Sequence, residues 1–286
     1  MAAVTPILDT PPAVSHDRPR RPRVWRGVVL GVAALYFLVP LGASLWFAVY
    51  NEQRGFSLDV FWKIFTAEGF GKSVLLSLAL AATTIAVVLA LTLPAMLAVR
   101  LGAPRLRPVL EVICTLPLVV PPITFVTGIG TVLRWGPDYL AATPFWATLI
   151  AIQNETFPVV LVLAYVVLAL PFVHRSLDAG LRAIDVGTLV EAARNLGASW
   201  PHVMFRVIIP NLRSAIASAS FLTLALVLGE YTIAALLGYG TFPVWILTVS
   251  GSDGQLSVAV SILSLLLIWL LLLTLSSGGS KRRSSS

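Results

Sequence analysis

Six apolar segments alternate with short polar segments along this chain. They cover residues of about 27–50, 74–99, 109–133, 158–173, 214–237 and 257–275. A hydrocarbon core about 30 Å thick needs roughly 20 apolar residues per helix, so each segment predicts one spanning helix. The fourth is the shortest because Gln153, Asn154 and Glu155 interrupt the apolar stretch that begins at Phe145, and residues 145–152 predict a short separate helix. The pattern therefore predicts an all-α polytopic membrane protein with about six transmembrane helices.

Composition supports a membrane protein. The 286 residues are 57% hydrophobic and 12% charged, whereas a soluble domain has roughly 25% charged residues. The net charge is +7, but the charged residues lie between the apolar segments and form no basic face, so nucleic acid is not an expected partner. One cysteine and three scattered histidines (His16, His174 and His202) provide neither a disulfide framework nor a metal-ligand spacing.

Basic residues concentrate on one side of the predicted spans. Sixteen of the twenty lie before the first span, between the second and third, between the fourth and fifth, or after the sixth: Arg18, Arg20, Arg21, Arg23, Arg26, Arg100, Arg105, Arg107, Arg175, Arg182, Arg194, Arg206, Arg213, Lys281, Arg282 and Arg283. The other four are Arg54, Lys63, Lys72 and Arg134. Because cytoplasmic loops carry an excess of lysine and arginine, we predict that both termini and the segment 174–213 face the cytosol.

The charge pattern also divides the chain. Residues 1–26 are rich in proline and arginine and predict a disordered basic cytosolic tail rather than a cleaved signal peptide. Residues 27–275 form the predicted transmembrane domain, and residues 276–286 a flexible basic tail.

The polar segment 174–213 has its own helical pattern. Apolar residues recur between Leu181 and Leu196, which predicts an amphipathic helix or a pair of short helices. Gly197 supplies a left-handed or a tightly packed turn, and Trp200 and Pro201 begin a second short helix. We expect Pro210 to separate that helix from the fifth span. Such a hairpin beneath the membrane is a rigid element that fits a partner's groove.

The same segment carries a specific motif. It reads Glu191, Ala192, Ala193, three residues, Gly197, nine residues, and then Val207-Ile208-Ile209-Pro210. This pattern resembles the EAA loop of permease subunits in binding-protein-dependent ABC importers of type I, which reads E-A-A, three residues, G, nine residues, I-x-L-P. Val207 and Ile209 replace the Ile and the Leu conservatively.

The resemblance implies a transport subunit of the bacterial plasma membrane and not an enzyme. It implies that the EAA hairpin docks on a separate ATPase, of which two copies serve a pair of permease chains, either identical or different. An extracytoplasmic binding protein and the lipid bilayer complete the expected partners. The E-A-A triplet is not followed by the Asp-Gly-Ala common in sugar importers. With Leu116–Pro122 and Gly229-Glu230-Tyr231, the chain looks more like the polyamine, ferric iron, phosphonate and thiamine branch, and Glu230 favours a polyamine such as spermidine or putrescine.

One segment imitates a nucleotide site. Residues Gly69 to Ser73 end in the Gly-Lys-Ser of a P-loop, but Thr66 occupies the position of its first glycine and the charge pattern places the segment outside the cell. That glycine is needed because backbone amides wrap the phosphates. We therefore expect no cofactor on this chain, with ATP and Mg²⁺ bound by the partner ATPase.

Two groups of residues inside the spans are pathway or gate candidates. The first is Pro121, Pro122, Thr124 and Thr127, because the prolines remove backbone hydrogen bonds and must kink or locally unwind the third span; a packing kink without substrate contact is the alternative. The second is Glu230, Tyr231 and Thr232, because an acid at membrane depth is costly and should face the bundle interior. Hydrogen bonding between helices, or snorkelling to the outer surface, is the alternative for Glu230.

Two other classes of function fit less well. A membrane-embedded enzyme acting on lipid needs a catalytic constellation near an interface, and no grouping of His, Asp and Ser supplies one. A secondary transporter should show paired ionisable residues or inverted repeats at mid-membrane, which the sequence lacks.

Overall fold

The computed structural model describes the backbone of residues 24–51 and 55–280, and the side chains of residues 25–50 and 55–270. The first elements are α1 (Val24–Val49), a hairpin of β1 (Tyr50–Asn51) and β2 (Gly55–Phe56), α2 (Asp59–Thr66), α3 (Phe70–Leu101), α4 (Arg107–Thr115), α5 (Pro122–Trp135), α6 (Pro144–Ile152) and α7 (Val159–Arg182). The remaining helices are α8 (Val186–Asn195), α9 (Trp200–His202), α10 (Ile209–Asn211), α11 (Arg213–Gly229), α12 (Thr232–Leu236), α13 (Phe242–Ser250) and α14 (Gly254–Ser280). Short 3₁₀ turns flank α4 at Pro104–Leu106 and Leu116–Leu118, and π-helical turns occupy Gly136–Leu140 and Val203–Ile208.

Three helices of the described chain, α1, α3 and α7, are each long and apolar enough to cross a membrane. Two further candidates are bent pairs: Pro104–Leu118 with Pro122–Leu140 at 97°, and Trp200–Asn211 with Arg213–Gly229 at 78°. Helix α14 is apolar over Gly254–Leu270. The described residues thus confirm a helical fold with repeated apolar spans, and the count of six stays a prediction.

Helices α3, α7 and α11 pack together as the centre of the bundle. Their contact faces are fully buried, for example at Leu80, Leu161 and Ala219. Gly180 on α7 lies so close to Ala215 on α11 that an added Cβ would collide with the alanine methyl group. Small residues permit this approach, and close backbone packing is a main source of helix association in lipid.

A second, smaller apolar cluster lies beside this centre. It joins α1, α2, α13 and α14 through Ala48, Ile64, Trp245 and Ala259. Helix α1 contacts α14 but is otherwise exposed along its length. The bundle therefore has a dense three-helix centre and a peripheral layer.

Contacts between helix termini define two ends of the bundle. At one end, Arg107 at the start of α4 pairs with Asp178 near the end of α7, 3.5 Å apart, and α8 follows directly. We call this the hairpin end. At the opposite end, the Phe242 N–H donates to the Ser77 hydroxyl at 2.8 Å, and the Trp245 ring N–H donates to the Glu68 carbonyl at 2.8 Å.

Two of the predicted spans contain breaks, one expected and one not. The third span, predicted to be kinked or locally unwound, is divided into two helices because the chain leaves helical geometry at Pro121, where ψ is 140°. The fifth span was predicted to be one helix through residue 237, which is wrong: α11 ends at Gly229, and Glu230 is extended, with ψ of 116°. The cause is local, since the Glu230 carboxylate binds the first N–H groups of the next helix.

Other boundaries also differ from the predictions. The fourth span extends downstream through Arg182, so Leu181 belongs to α7 and not to the amphipathic segment. Pro210 lies inside α10, and the bend to α11 occurs at Leu212 rather than at the proline. The short helix predicted at 145–152 is confirmed as α6. Most of the predicted tail 1–26 lies outside the described residues, as do residues 281–286, while α1 begins at Val24 and α14 continues to Ser280.

Candidate functional site

The EAA motif begins in helix α8, which an aspartate starts. The Asp185 carboxylate accepts hydrogen bonds from the Thr188 hydroxyl at 2.7 Å and from the Thr188 N–H at 3.3 Å, satisfying a donor at the helix start. These hydrogen bonds hold the pKa of the Asp185 carboxyl below its ordinary value. Our sequence reasoning missed Asp185, although an aspartate just before an apolar helical pattern is a recognised start signal.

Gly197 ends α8 with a Schellman motif. Its φ is +83°, its N–H donates to the Arg194 carbonyl at 2.9 Å, and the Ala198 N–H donates to the Ala193 carbonyl at 3.1 Å. This pair of bonds satisfies terminal carbonyls of the helix and requires the left-handed conformation that glycine adopts without strain. The space around Gly197 is open, so the need for glycine is conformational rather than steric.

The second arm of the hairpin runs from Trp200 to Asn211 through α9, the π-helical turn and α10. Arg194 joins the two arms: its guanidinium donates to the Ala198 carbonyl at 3.2 Å and lies 5.6 Å from the centre of the Trp200 ring. Val203 and Ile208 are buried and face the bundle. The hairpin is therefore a fixed unit rather than a loose loop.

The outer surface of the hairpin is apolar and exposed. Leu196 is 89% exposed, Phe205 68% and Trp200 52%. Beside them lies an open groove of about 570 Å³ lined by Ala193, Leu196, Gly197, Ala198, Ser199, His202 and Val207. Exposed apolar patches of this kind mark protein contact sites. We call these groove residues together with Trp200 and Phe205 the hairpin surface.

The motif residues are arranged around this surface. Glu191 and Ala192 are exposed on α8, and Ala193 is half-buried and lines the groove. Glu191 forms no ion pair with any described residue, so its carboxylate is available to a basic partner. Pro210 lies apart from the groove, in the final turn of the second arm.

The first group of pathway candidates lies at the break between α4 and α5. Pro121 precedes α5 and Pro122 is in its first turn, where a missing N–H costs little. Thr124 lines a largely apolar cavity of about 500 Å³ between α5, α6 and α7. The Thr127 hydroxyl donates back to the Ile123 carbonyl at 2.8 Å. The four residues are exposed, and α5, which contains three of them, packs against α12, the helix that follows Glu230.

The second group lies at the break between α11 and α12. The Glu230 carboxylate accepts the Ile233 N–H at 3.0 Å and the Ala234 N–H at 3.4 Å, so it caps α12. Tyr231 is 42% exposed and Thr232 is half-buried. The expectation of an acid facing the interior is modified, because much of its hydrogen-bonding capacity is already used by the backbone.

Tyr165 is a neighbour of Glu230 that sequence reasoning missed. Its side chain is fully buried on α7, and its hydroxyl lies close to the Glu230 carboxylate. A single tyrosine within an apolar segment does not distinguish a functional residue from a packing residue in the sequence. A separate contact holds the turn that follows α12: the Tyr239 hydroxyl donates a hydrogen bond to the Gln153 carbonyl at 3.3 Å.

The arrangement can bind a protein at the hairpin surface and change shape at two broken helices. The described residues contain no cluster of His, Cys, Asp and Glu that could hold a metal ion.

A family model described as the binding-protein-dependent transport system inner membrane component matches residues 90–278, more than half of the chain. The chain belongs to this family. The family consists of transport components rather than enzymes, and it confirms a multi-pass protein of the inner membrane.

Similar proteins refine this assignment. Over 171 residues the chain is 33% identical to the molybdenum transport system permease protein ModB of Mycobacterium bovis and of Mycobacterium tuberculosis, covering 60% of this chain and 63% of each relative. It is 32% identical over 101 residues to the methionine import system permease protein MetP of Bacillus subtilis, covering 35% of this chain and 43% of that protein. The matches thus span less than two thirds of these relatives.

A solved structure shows the same fold. A bacterial ABC transporter involved in import of the acidic polysaccharide alginate contains a chain with a TM-score of 0.51 and 17% sequence identity. The match covers 93% of this chain and 100% of that one. Together with the family, it confirms the predicted fold class, that of a type I ABC importer permease.

Proposed function

We propose that this chain is the permease subunit of an ABC importer and passes a small polar solute through the membrane. The hairpin surface is the observation that supports this function best. It presents exposed apolar side chains and a free Glu191 carboxylate at the end of the bundle where basic residues concentrate. A separate ATPase subunit would dock there, with Glu191 pairing with a basic residue of that subunit.

The connection from the hairpin to the spans explains how docking would drive transport. Helix α8 follows α7 after three residues, and the second arm leads into α11 through the 78° bend. Val190 and Leu212 are buried, which ties the hairpin to both spans. A push on the hairpin would therefore move α7 and α11, and α11 ends at the Glu230 break.

The expected partners follow from this role. Two ATPase subunits would bind ATP and Mg²⁺, a second permease chain (a copy or a different chain) would complete the pathway, and an extracytoplasmic binding protein would deliver the solute. Both termini would be cytosolic, which the basic residues at the hairpin end support. The breaks at Pro121–Pro122 and at Glu230–Thr232 would line or gate the pathway, since non-helical backbone at membrane depth is tolerated where it faces protein or water.

The solute is a further question. The polyamine hypothesis rested on the negative charge of Glu230, and the use of that carboxylate by two backbone N–H groups of α12 weakens this support. Relatives named for molybdenum and methionine transport favour a small anionic or zwitterionic solute instead. Ferric iron, phosphonate and thiamine remain alternatives.

The test is a comparison of Gly197→Trp and Glu191→Arg with Gly187→Trp, each reconstituted with the cognate ATPase and binding protein. Gly187 is on the same α8 but outside the hairpin surface. We expect the first two variants to insert normally but to lose ATPase association and solute uptake, while the Gly187 variant keeps both. Normal uptake by the first two would contradict the docking role.

A further inference from the structure

A small cavity lies at the hairpin end, away from the hairpin surface and from both helix breaks. It has a volume of about 170 Å³ and lies between the end of α3, the 104–106 turn, α4 and α7. The polar side chains that line it come from three helices and are Arg100, Arg107, His174 and Asp178. Met96 and Leu110 are among the apolar residues of its walls. The proposed transport function uses none of these residues.

His174 is the unusual member of this group. The residue is 8% exposed, and no hydrogen bond joins its side chain to another described residue. An imidazole always carries at least one N–H donor, and neither ring nitrogen of His174 is among the fully enclosed polar atoms of the described chain that lack a partner, so a donor stays accessible to a ligand in the cavity. A ligand in the cavity that accepts a hydrogen bond would supply the missing partner.

The charges around His174 favour an anion. Asp178 is already paired with Arg107 at 3.5 Å and with Arg182, so its negative charge is shared between two guanidinium groups. Arg100 lines the cavity and forms no ion pair within the described chain. The charged groups that act on His174 also include Glu111 and Arg175. Among the charged residues that line the cavity itself, two are arginines, Arg100 and Arg107, and one is a carboxylate, Asp178.

We propose that this cavity binds a phosphate-type oxyanion, held by Arg100, Arg107 and His174. A guanidinium group binds such oxygens through two parallel N–H bonds, and the His174 N–H would donate a third. The volume suffices, because one water occupies about 30 Å³ in the liquid. Asp178 would accept the hydrogen of a singly protonated phosphate group.

The same chemistry has two sources. Free phosphate could enter from solution, or the headgroup of an anionic phospholipid could enter from the adjacent membrane surface, where basic pockets between helices recognise such headgroups. Met96 and Leu110 provide an apolar wall that would contact the glycerol portion of a lipid. Either ligand would connect α3, α4 and α7 at the end where α7 leads into the hairpin.

The experiment uses the purified full-length protein in detergent and measures equilibrium dialysis of radiolabelled inorganic phosphate. Arg100→Gln and His174→Leu are compared with Arg105→Gln, which removes the same charge from an exposed position in the neighbouring turn that does not line the cavity. We expect saturable binding that weakens roughly tenfold in each of the first two variants, the effect of losing one charge-assisted hydrogen bond, and stays unchanged in Arg105→Gln. Thermal unfolding checks that all three are folded.

A second arm tests the lipid source by native mass spectrometry after exposure to phosphatidylglycerol and, as a neutral comparison, phosphatidylcholine. Retention of phosphatidylglycerol by the wild type and its loss in Arg100→Gln would support a headgroup site. Phosphate binding alone would support a soluble ligand. The proposal is overturned if neither ligand binds, or if Arg105→Gln loses binding as much as Arg100→Gln, because the effect would then be diffuse charge. None of these outcomes depends on transport.

Discussion

The Ala198 N–H donates a hydrogen bond to the Ala193 carbonyl at 3.1 Å, across the turn that Gly197 makes at the end of α8. The bond connects the last residue of the E-A-A triplet to the residue that follows the motif glycine. The spacing between the E-A-A triplet and Gly197, which belongs to the family motif, is therefore also what the hydrogen bonds of this turn require. It sets the angle between the two arms of the hairpin and hence the shape of the hairpin surface.

Replacing Gly197 should be destabilising even with alanine. An L-residue in the left-handed region costs about 1–2 kcal/mol, so Gly197→Ala should lower the free energy of unfolding by about that amount. The matched control is Gly187→Ala on the same helix, where φ is negative and an added Cβ meets only ordinary contacts. We expect the control to be neutral or slightly stabilising. Thermal unfolding of the purified variants checks both, and equal effects would show that the turn geometry is unimportant.

Asp185 should make the stability of the hairpin depend on pH. Because the folded-state pKa of its carboxyl is lowered by the Thr188 hydrogen bonds, its contribution is present above the unfolded pKa of about 3.9 and is lost as the pH falls through the folded-state pKa. Asp185→Ala should therefore have a lower melting temperature than the wild type at pH 7. The gap should close in acid. Asp185→Asn, which keeps a capping oxygen, should retain most of the stability; a gap independent of pH would contradict the charged cap.

The contact between Gly180 and Ala215 should tolerate no added methyl group. A Cβ on Gly180 would collide with the Ala215 methyl and approach Leu212 to 3.2 Å, and overpacking of this kind costs about 1–3 kcal/mol. Gly180→Ala should reduce the yield of folded protein and its melting temperature. Gly128→Ala on α5, where the space is open, is the control. Restoration of stability by Ala215→Gly in the Gly180→Ala background would identify the contact itself.

Glu230 should act first as a helix cap. Glu230→Ala leaves the Ile233 and Ala234 N–H groups without their acceptor, which should cost roughly 1–2 kcal/mol. Glu230→Gln keeps one acceptor oxygen and should assemble nearly as well as the wild type. If the pathway role proposed above holds, Glu230→Gln should still impair uptake in the reconstituted importer. Equal stability of the Ala and Gln variants would contradict the capping geometry, and unaltered uptake would leave Glu230 a structural residue.

Sequence patterns predicted most of the helices and the hairpin turn, because each depends on a local rule. Apolar runs of hydrocarbon length identified α1, α3 and α7, and a glycine after an amphipathic segment identified the left-handed turn at Gly197. The kink at Pro121 followed from missing N–H groups and the fixed ring geometry of proline. These features need no information about distant residues.

The break at Glu230 could not be predicted in the same way. The contact is local, because it joins Glu230 to the N–H groups of Ile233 and Ala234, but an apolar run with one acid is equally compatible with a continuous helix, and the structure was needed to distinguish the two. The pairing of Arg107 with Asp178 joins residues far apart in the chain. The burial of His174 without a hydrogen-bond partner could not be predicted either, because the burial of a side chain depends on the helices that pack around it.

The sequence by itself determined that this is an all-α membrane protein, where its main apolar segments lie, and that residues 191–210 carry the motif of its family. These depend on hydropathy and on spacing along one chain. Only the tertiary structure decided that the fifth span breaks at Glu230, that the Glu230 carboxylate is used by the backbone while that of Glu191 is free, and that His174 has no hydrogen-bond partner among the described residues. Hydrogen bonds and ion pairs form between groups that meet in space, and a linear pattern does not record those meetings.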